Sequence, residues 1–205
     1  MDKNESASAS ASASASASAG ASVSASAGAS VSASAGAGAS KPDLFTLIPT
    51  GLWTMYYHND SDGWKLDSFT KIGSMTTWNE FWTIIEMIKE ETLANGSFYF
   101  MRNNIDPLWE NNANIRGGKY SFPVDKSIAS KTFLQYLIAV MLGQATVSSL
   151  NEINAITIAS KKTHNIIYIW NKDYKKFANS SDIQVINNTV NPDNIRYVPF
   201  LSKDL

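Results

Sequence analysis

The N-terminal part of the chain limits where a hydrophobic core can form. Residues 5–40 are almost wholly Ser, Ala and Gly, and the octad ASVSASAG occurs twice, ending at Gly28 and at Gly36. Side chains this small bury too little apolar surface to offset the entropy that a chain loses on ordering. We therefore predict a disordered tail over residues 1–40 and one folded domain over residues 41–205. A silk-like stack of the Ser/Ala repeat is the alternative, which the shortness of the segment disfavours.

Charge and cysteine content narrow the possible classes of protein. The 205 residues carry a formal net charge of −1 at pH 7, so attraction to an anionic ligand requires a local cluster of basic residues. Cysteine is absent, which excludes disulfides and thiolate metal sites and fits the reducing cytoplasm, or the host cytoplasm if the chain is viral. No run of about 18 apolar residues occurs, so we expect no membrane-spanning helix.

Hydrophobic patterning predicts an α+β domain. Alternating or aromatic-rich runs predict strands over residues 52–57, 66–72, 97–102, 153–160, 165–170 and 195–201. Helices are predicted over residues 77–88, 127–142 and 173–186. Thr77 and Glu80 have the spacing of a capping box at the start of the first helix, and Gly143 is typical of the position that follows a helix. Strand pairs interrupted by helices indicate helices packed on one face of an antiparallel sheet.

The strongest candidate site lies in residues 98–120, FYFMRNNIDPLWENNANIRGGKY. An aromatic ring and a carboxylate are adjacent at Trp109 and Glu110, and two cations, Arg116 and Lys119, follow at about one ligand length. A flat ring for a base, an acceptor for its edge and counter-charges for phosphates are what a nucleotide requires. Considered alone, Glu110 has the simpler interpretation of a surface carboxylate.

A second tryptophan, Trp64, directly follows a turn-forming run that ends at Gly63, where a ring can stand free of the core. Its simpler interpretation is a rim residue packed on that turn. The only histidines, His58 and His164, fall in predicted loops far apart in the sequence, so neither a catalytic histidine pair nor a zinc site is expected. We predict no enzymatic activity, no metal and no cofactor.

The motif IDPLWE followed by RGGKY resembles the signature of the cap-binding translation initiation factor 4E family, whose members bind the N7-methylguanosine cap at the 5′ end of messenger RNA. The resemblance spans about residues 47–201. It implies a curved antiparallel sheet of about eight strands, three helices on the convex side and a cap slot on the concave side.

By motif position, the resemblance implies that Trp64 and Trp109 enclose the methylated guanine and that Glu110 accepts hydrogen bonds from its edge. The residues in phosphate-contacting positions are Arg116, Lys119 and Lys161, with Lys162 as the alternative to Lys161. The resemblance also suggests that Gly117 and Gly118 keep the loop slim for a triphosphate. Ile166 stands at a position that is often basic in the family.

The resemblance further implies a convex surface for a scaffold or inhibitor protein that carries a helical Tyr-x4-Leu-φ motif. The residues in those positions are Pro49, Trp78, Trp82, Gln135, Tyr136 and Ala139. Four of them depart from the family pattern. Trp78 replaces a smaller aliphatic, Gln135 and Tyr136 stand where an apolar residue and Glu are expected, and Ala139 replaces a larger aliphatic. From spacing alone, the two tryptophans are equally explained by a wide core face.

These observations predict a monomeric, non-enzymatic protein that binds capped messenger RNA and recruits a translation scaffold. One alternative is a competitor that occupies caps without recruiting the usual scaffold, since the second-helix groove is altered. An alternative of another class is a cap-processing hydrolase, which would require a cluster of metal-binding carboxylates that the sequence does not show.

Overall fold

The computed structural model describes residues 44–186 and 190–201, so the predicted tail lies outside the described residues. Seven strands occur in this part of the chain: β1 Trp53–Asn59, β2 Phe69–Met75, β3 Gly96–Arg102, β4 Gly118–Asp125, β5 Ile153–Ser160, β6 His164–Asn171 and β7 Arg196–Pro199. The α-helices are α1 Trp78–Ile85, α2 Glu90–Ala94 and α3 Lys126–Met141. None of the described helices has the length and apolar character needed to cross a membrane.

All described strands join one curved antiparallel sheet in the order β2-β1-β3-β5-β6-β4-β7. The helices cover one face, which we call the helix face: α1 lies over β2, α2 over β3, and α3 over β4, β5 and β6. The opposite, open face has its own smaller cluster of aromatic and aliphatic side chains around Tyr99, Met101 and Trp170. The α+β prediction is confirmed, with seven strands in the described residues where about eight were expected.

Local sequence signals explain the helix ends. Thr77 accepts a hydrogen bond from the Glu80 amide (3.3 Å), and the Glu80 carboxylate accepts one from the Thr77 amide (3.0 Å), which is the predicted capping box. Hydrogen bonds from the Thr76 and Thr77 amides hold the pKa of the Glu80 carboxyl below its usual value. Helix α3 ends as predicted before Gly143, whose φ of +72° is the left-handed conformation that glycine adopts most easily.

The predicted helix over residues 173–186 is wrong. The segment forms turns and a single 3-10 turn, Ser180–Asp182, because its short polar side chains bond nearby amides instead. Asp173 accepts from the Lys175 amide (2.9 Å), and Asp182 accepts from the Asn179 amide (2.9 Å). Such local bonds compete with the regular bonds of a helix.

Two strands also differ from the predictions. The second strand begins at Phe69, because residues 66–68 form a 3-10 turn in which the Ser68 hydroxyl donates to the Lys65 carbonyl (2.7 Å). Strand β4 was not among the predicted strands, and it contains Pro123, a residue type that is rare in strand interiors. Pro123 is accommodated because β7 pairs with β4 only up to Ser121, which leaves one side of β4 unpaired at Pro123.

Candidate functional site

A cavity of about 490 Å³ opens on the open face of the sheet. Five of the predicted site residues line it together, namely Trp64, Trp109, Glu110, Lys119 and Lys161. They come from four separate loops or strands, so the sheet brings together groups that are up to about a hundred residues apart in the sequence. The cavity therefore combines two aromatic rings, an acceptor and two cations in one place.

Trp64 stands on the rim and is 65% exposed. One face of its indole stacks on the His58 imidazole, with ring centroids 4.4 Å apart and planes 16° apart. His58 lies in β1, not in the predicted loop. It is fully buried, and its Nδ1 has no hydrogen-bond partner among the described residues. Because His58 covers one face of Trp64, only the other face is available to a ligand.

Trp109 is 43% exposed and sits in the loop between β3 and β4. Two buried asparagines brace this loop: the Asn114 side chain donates to the Leu108 carbonyl (2.8 Å), and Asn154 of β5 donates to the Ala113 carbonyl (2.7 Å) and to Asn114 Oδ1 (3.1 Å). Satisfied buried hydrogen bonds of this kind fix a loop in one conformation. They hold the segment that carries Trp109 and the exposed Glu110 at the cavity edge.

The two lysines differ in burial. Lys119 of β4 is half-buried, and its ammonium lies 5.0 Å from the centroid of the Tyr168 ring. Burial, and secondarily the charge of Lys161, lowers the pKa of Lys119 below its ordinary value. Lys161, in the loop between β5 and β6, is exposed. An anion bound between these lysines would relieve their mutual repulsion.

Two of the predicted phosphate-contacting residues do not reach the cavity. Arg116 is exposed and does not line it, and Lys162 is exposed beside Lys161 without lining it. The structure thus distinguishes Lys161 from Lys162, which the sequence left open.

The two glycines before Lys119 have a different role from the one expected. A Cβ at Gly117 would lie 1.8 Å from the Asn171 carbonyl oxygen, and a Cβ at Gly118 would lie 2.4 Å from the Tyr197 hydroxyl. The space beside them is therefore filled by protein. The Asn171 side-chain oxygen accepts from the Gly118 amide (3.0 Å) and from Tyr197 (2.9 Å), which anchors the start of β4 and positions Lys119.

Sequence reasoning missed several lining residues, among them Asp60, Tyr99, Tyr168 and Trp170. Trp170 is 7% exposed, and its indole N–H has no hydrogen-bond partner within the described chain. The period-two alternation of β3 and β6 would have grouped Tyr99, Tyr168 and Trp170 on one face, but only the strand order shows which face carries the site. No group of three or more His, Asp or Glu side chains in residues 44–186 and 190–201 is placed to hold a metal ion.

The predicted partner-binding residues are spread over the helix face. Trp82 on α1 is 41% exposed. Pro49 is exposed on the segment that precedes β1, and this segment forms backbone hydrogen bonds with the start of α1 and with the end of α3. Trp78, Gln135 and Ala139 are half-buried. Tyr136 is 0% exposed, so the prediction of a surface contact there is wrong. Its ring packs against Phe122 and its hydroxyl accepts from the Ile186 amide (3.5 Å).

The fold and the site define a class of protein. Helices cover one face of an antiparallel sheet, and the open face carries a cavity lined by aromatic rings and by side chains of both charges. The family model described as Eukaryotic initiation factor 4E matches residues 50–200. The chain belongs to this family.

Relatives with curated descriptions agree with this membership. The eukaryotic translation initiation factor 4E of Saccharomyces cerevisiae is 31% identical over 132 residues, which cover 60% of this chain and 61% of that protein. The protein of the same description from Dictyostelium discoideum is 32% identical over 128 residues, or 58% of this chain and 50% of that protein. The matched part thus spans at most about three-fifths of the length of these relatives.

Solved structures share the fold. One is described as a crystal structure of Ascaris suum eIF4E-3 with m7G cap, with a TM-score of 0.54 and 21% identity, covering 62% of this chain and 73% of that chain. Another is a complex of C. elegans eIF4E-3 with the 4E-binding protein Mextli and a cap analog, with a TM-score of 0.55 and 20% identity, covering 63% and 76%.

Proposed function

We propose that this chain binds the N7-methylguanosine cap of messenger RNA and acts in translation initiation. One observation carries the proposal: two exposed indoles, a carboxylate and two lysines line a single cavity in a chain of the initiation factor 4E family. Further support comes from structural neighbours that are described as complexes with the m7G cap. The proposed role requires that the protein binds the cap and does not require that it catalyses a reaction.

The base would stack between Trp64 and Trp109. The His58 imidazole covers one face of Trp64, so the guanine would occupy the other face, toward the cavity. Stacking on an aromatic ring contributes roughly 1–3 kcal/mol for any base. Methylation at N7 makes guanine a cation, which adds a cation–π attraction of up to about 2 kcal/mol when water is excluded. The charge of the base therefore provides the selectivity for the methylated form.

The edge and the phosphates would be recognised by charged groups. Glu110 would accept hydrogen bonds from guanine N1 and from the exocyclic amine, a pattern that adenine does not offer. Lys119 and Lys161 would contact the phosphates, whereas Arg116 and Lys162 would need a movement of their loops to do so.

The direct test is tryptophan fluorescence quenching by N7-methylguanosine triphosphate and by plain guanosine triphosphate. If the cation–π attraction contributes about 2 kcal/mol, the methylated ligand should bind roughly 30-fold more tightly. Equal binding of the two ligands would reject cap specificity. Release of nucleoside diphosphate when the protein is incubated with capped RNA would support the hydrolase instead.

Cap affinity should fall as the pH rises through the lowered pKa of Lys119. Only the ammonium form attracts phosphate, and burial makes Lys119 lose its proton earlier than a surface lysine does. Lys119→Arg should retain affinity to higher pH, because a guanidinium stays charged. The ratio of the two proteins' affinities at each pH cancels any titration of the ligand. An affinity ratio that does not change with pH would show that Lys119 does not contact the phosphates of the ligand.

Lys119→Ala should lower affinity without abolishing it, and it should make affinity less dependent on salt. Lys162→Ala is the matched control, since Lys162 is an exposed lysine outside the cavity.

We also propose that the helix face recruits a scaffold through Trp82. A peptide with a Tyr-x4-Leu-φ helix should bind the wild type, and Trp82→Ala should abolish this binding, because the exposed indole is the largest apolar group that α1 presents there. The measurement is isothermal titration calorimetry, with Trp109→Ala as the control that should keep peptide affinity. Failure of the wild type to bind would favour the competitor, a role supported by the burial of Tyr136 beneath Ile186.

A further inference from the structure

Four charged side chains line the cavity: the carboxylates of Asp60 and Glu110 and the ammonium groups of Lys119 and Lys161. Glu110 and the lysines have roles in the proposed cap complex, but Asp60 has none. A carboxylate in a site for a triphosphate is unexpected, because it repels each phosphate that enters.

Asp60 directly follows β1, and its Oδ1 lies 3.5 Å from the Ser97 hydroxyl at the start of β3. Burial raises the pKa values of Tyr99 and Tyr168. The negative charge of Asp60 raises both further, in the case of Tyr99 after the larger effect of Tyr168. Both tyrosines line the same cavity. Asp60 therefore lines the same cavity as Tyr168, whose ring centroid lies 5.0 Å from the Lys119 ammonium.

The row of strand residues in line with Ser97, the side-chain neighbour of Asp60, includes no lysine or arginine. His58, Ser97, Ala159 and Ile166 are successive partners across β1, β3, β5 and β6, so they lie side by side on one face. None of them is a lysine or arginine. Within residues 44–186 and 190–201 the ion pairs are Lys172–Glu152 and Lys176–Asp173, so Asp60 is not in one.

We propose that Asp60 is a specificity-determining residue that makes this cavity respond strongly to the charge of the base and weakly to the number of phosphates. The carboxylate attracts a cationic ring stacked on Trp64 and opposes the added charge of each further phosphate. The ligand class is an N7-methylated guanine nucleotide with a short phosphate chain. This inference rests on the proposed function.

The test compares the affinities of N7-methylguanosine monophosphate and triphosphate, measured by fluorescence quenching for wild type and for Asp60→Asn. The amide keeps an oxygen acceptor for the Ser97 hydroxyl and removes the negative charge. The triphosphate-to-monophosphate affinity ratio should rise about two- to fivefold at low salt, the size expected for one exposed charge several ångströms from two additional negative charges. The increase in this affinity ratio should be smaller in about 0.5 M salt, because salt screens the charges.

Asp62→Asn is the matched control, because it removes the same charge from the same turn at a residue that does not line the cavity. It should leave the ratio unchanged. A general disturbance of Trp64 by either substitution would weaken both ligands alike and cancel in the ratio. Asp60→Lys should raise the ratio further than Asp60→Asn.

The outcomes separate the two proposals. A ratio raised by Asp60→Asn and not by Asp62→Asn supports the role of Asp60. Equal ratios in wild type and both variants, with selectivity for the methylated base intact, overturn the role of Asp60 and leave cap binding standing. If the wild type binds neither methylated nucleotide, the proposed function fails and this inference fails with it.

Discussion

Replacing Trp109 by alanine should abolish retention of the protein on methylated-cap resin. The substitution removes one of the two rings proposed to enclose the base, and with it roughly 1–3 kcal/mol of stacking and up to about 2 kcal/mol of cation–π attraction. At the middle of these ranges the loss is about 3 kcal/mol, which weakens binding by about two orders of magnitude. Trp109 packs at the rim with 43% of its surface exposed, so the fold should tolerate the change.

The matched control for this substitution is Trp82→Ala. Trp82 is exposed to nearly the same extent, at 41%, but it lies on α1 at the helix face of the sheet. The Trp82→Ala variant should no longer bind the scaffold peptide and should still bind the cap. The Trp109→Ala variant should bind the peptide and not the cap. Retention of Trp109→Ala on the resin at wild-type level, with an unchanged circular dichroism spectrum, would contradict a stacking role for Trp109.

Replacing Glu110 by glutamine should cost about one to two orders of magnitude in affinity for the methylated cap. A carboxylate offers two acceptors to the two donors of the guanine edge, while an amide presents one acceptor and one donor that faces a donor. The preference for guanine over adenine should collapse together with the affinity. Competition of cap binding by guanosine and adenosine triphosphates, each methylated at N7, measures both effects.

Glu86→Gln provides the control for the charge change. Glu86 is exposed at the end of α1, away from the cavity, and its substitution should leave both affinity and base preference unchanged. If Glu110→Gln lowers affinity for guanine and adenine ligands equally, Glu110 acts only through its general charge and does not read the base edge.

Much of the site could be predicted because its signals are local. Trp109, Glu110 and Lys119 lie within one short motif, and the loop between β3 and β4 together with the start of β4 places all three at the same cavity. The capping box at Thr77 and the glycine after α3 are likewise short-range signals, and the structure reproduces both. The predicted helix over residues 173–186 was wrong because local side-chain bonds from Asp173 and Asp182 outweigh a weak helical pattern.

The remaining features depend on which residues lie side by side after folding. His58 supports Trp64, and Asp60 and Trp170 enter the cavity, because the register of β1, β3, β5 and β6 turns their side chains or their loops toward it. Tyr136 looked like a surface contact by motif position, but the segment that ends at Ile186 folds back over it. No local pattern carries that information.

The sequence by itself determined the family, the α+β class and the ring, carboxylate and lysine of the central motif. Only the tertiary structure decided that Lys161, and not Lys162 or Arg116, joins Lys119, and that Asp60 faces the same space. The physical reason is that the charge in a cavity is set by side-chain direction. That direction depends on the register and packing of strands that are distant in the sequence.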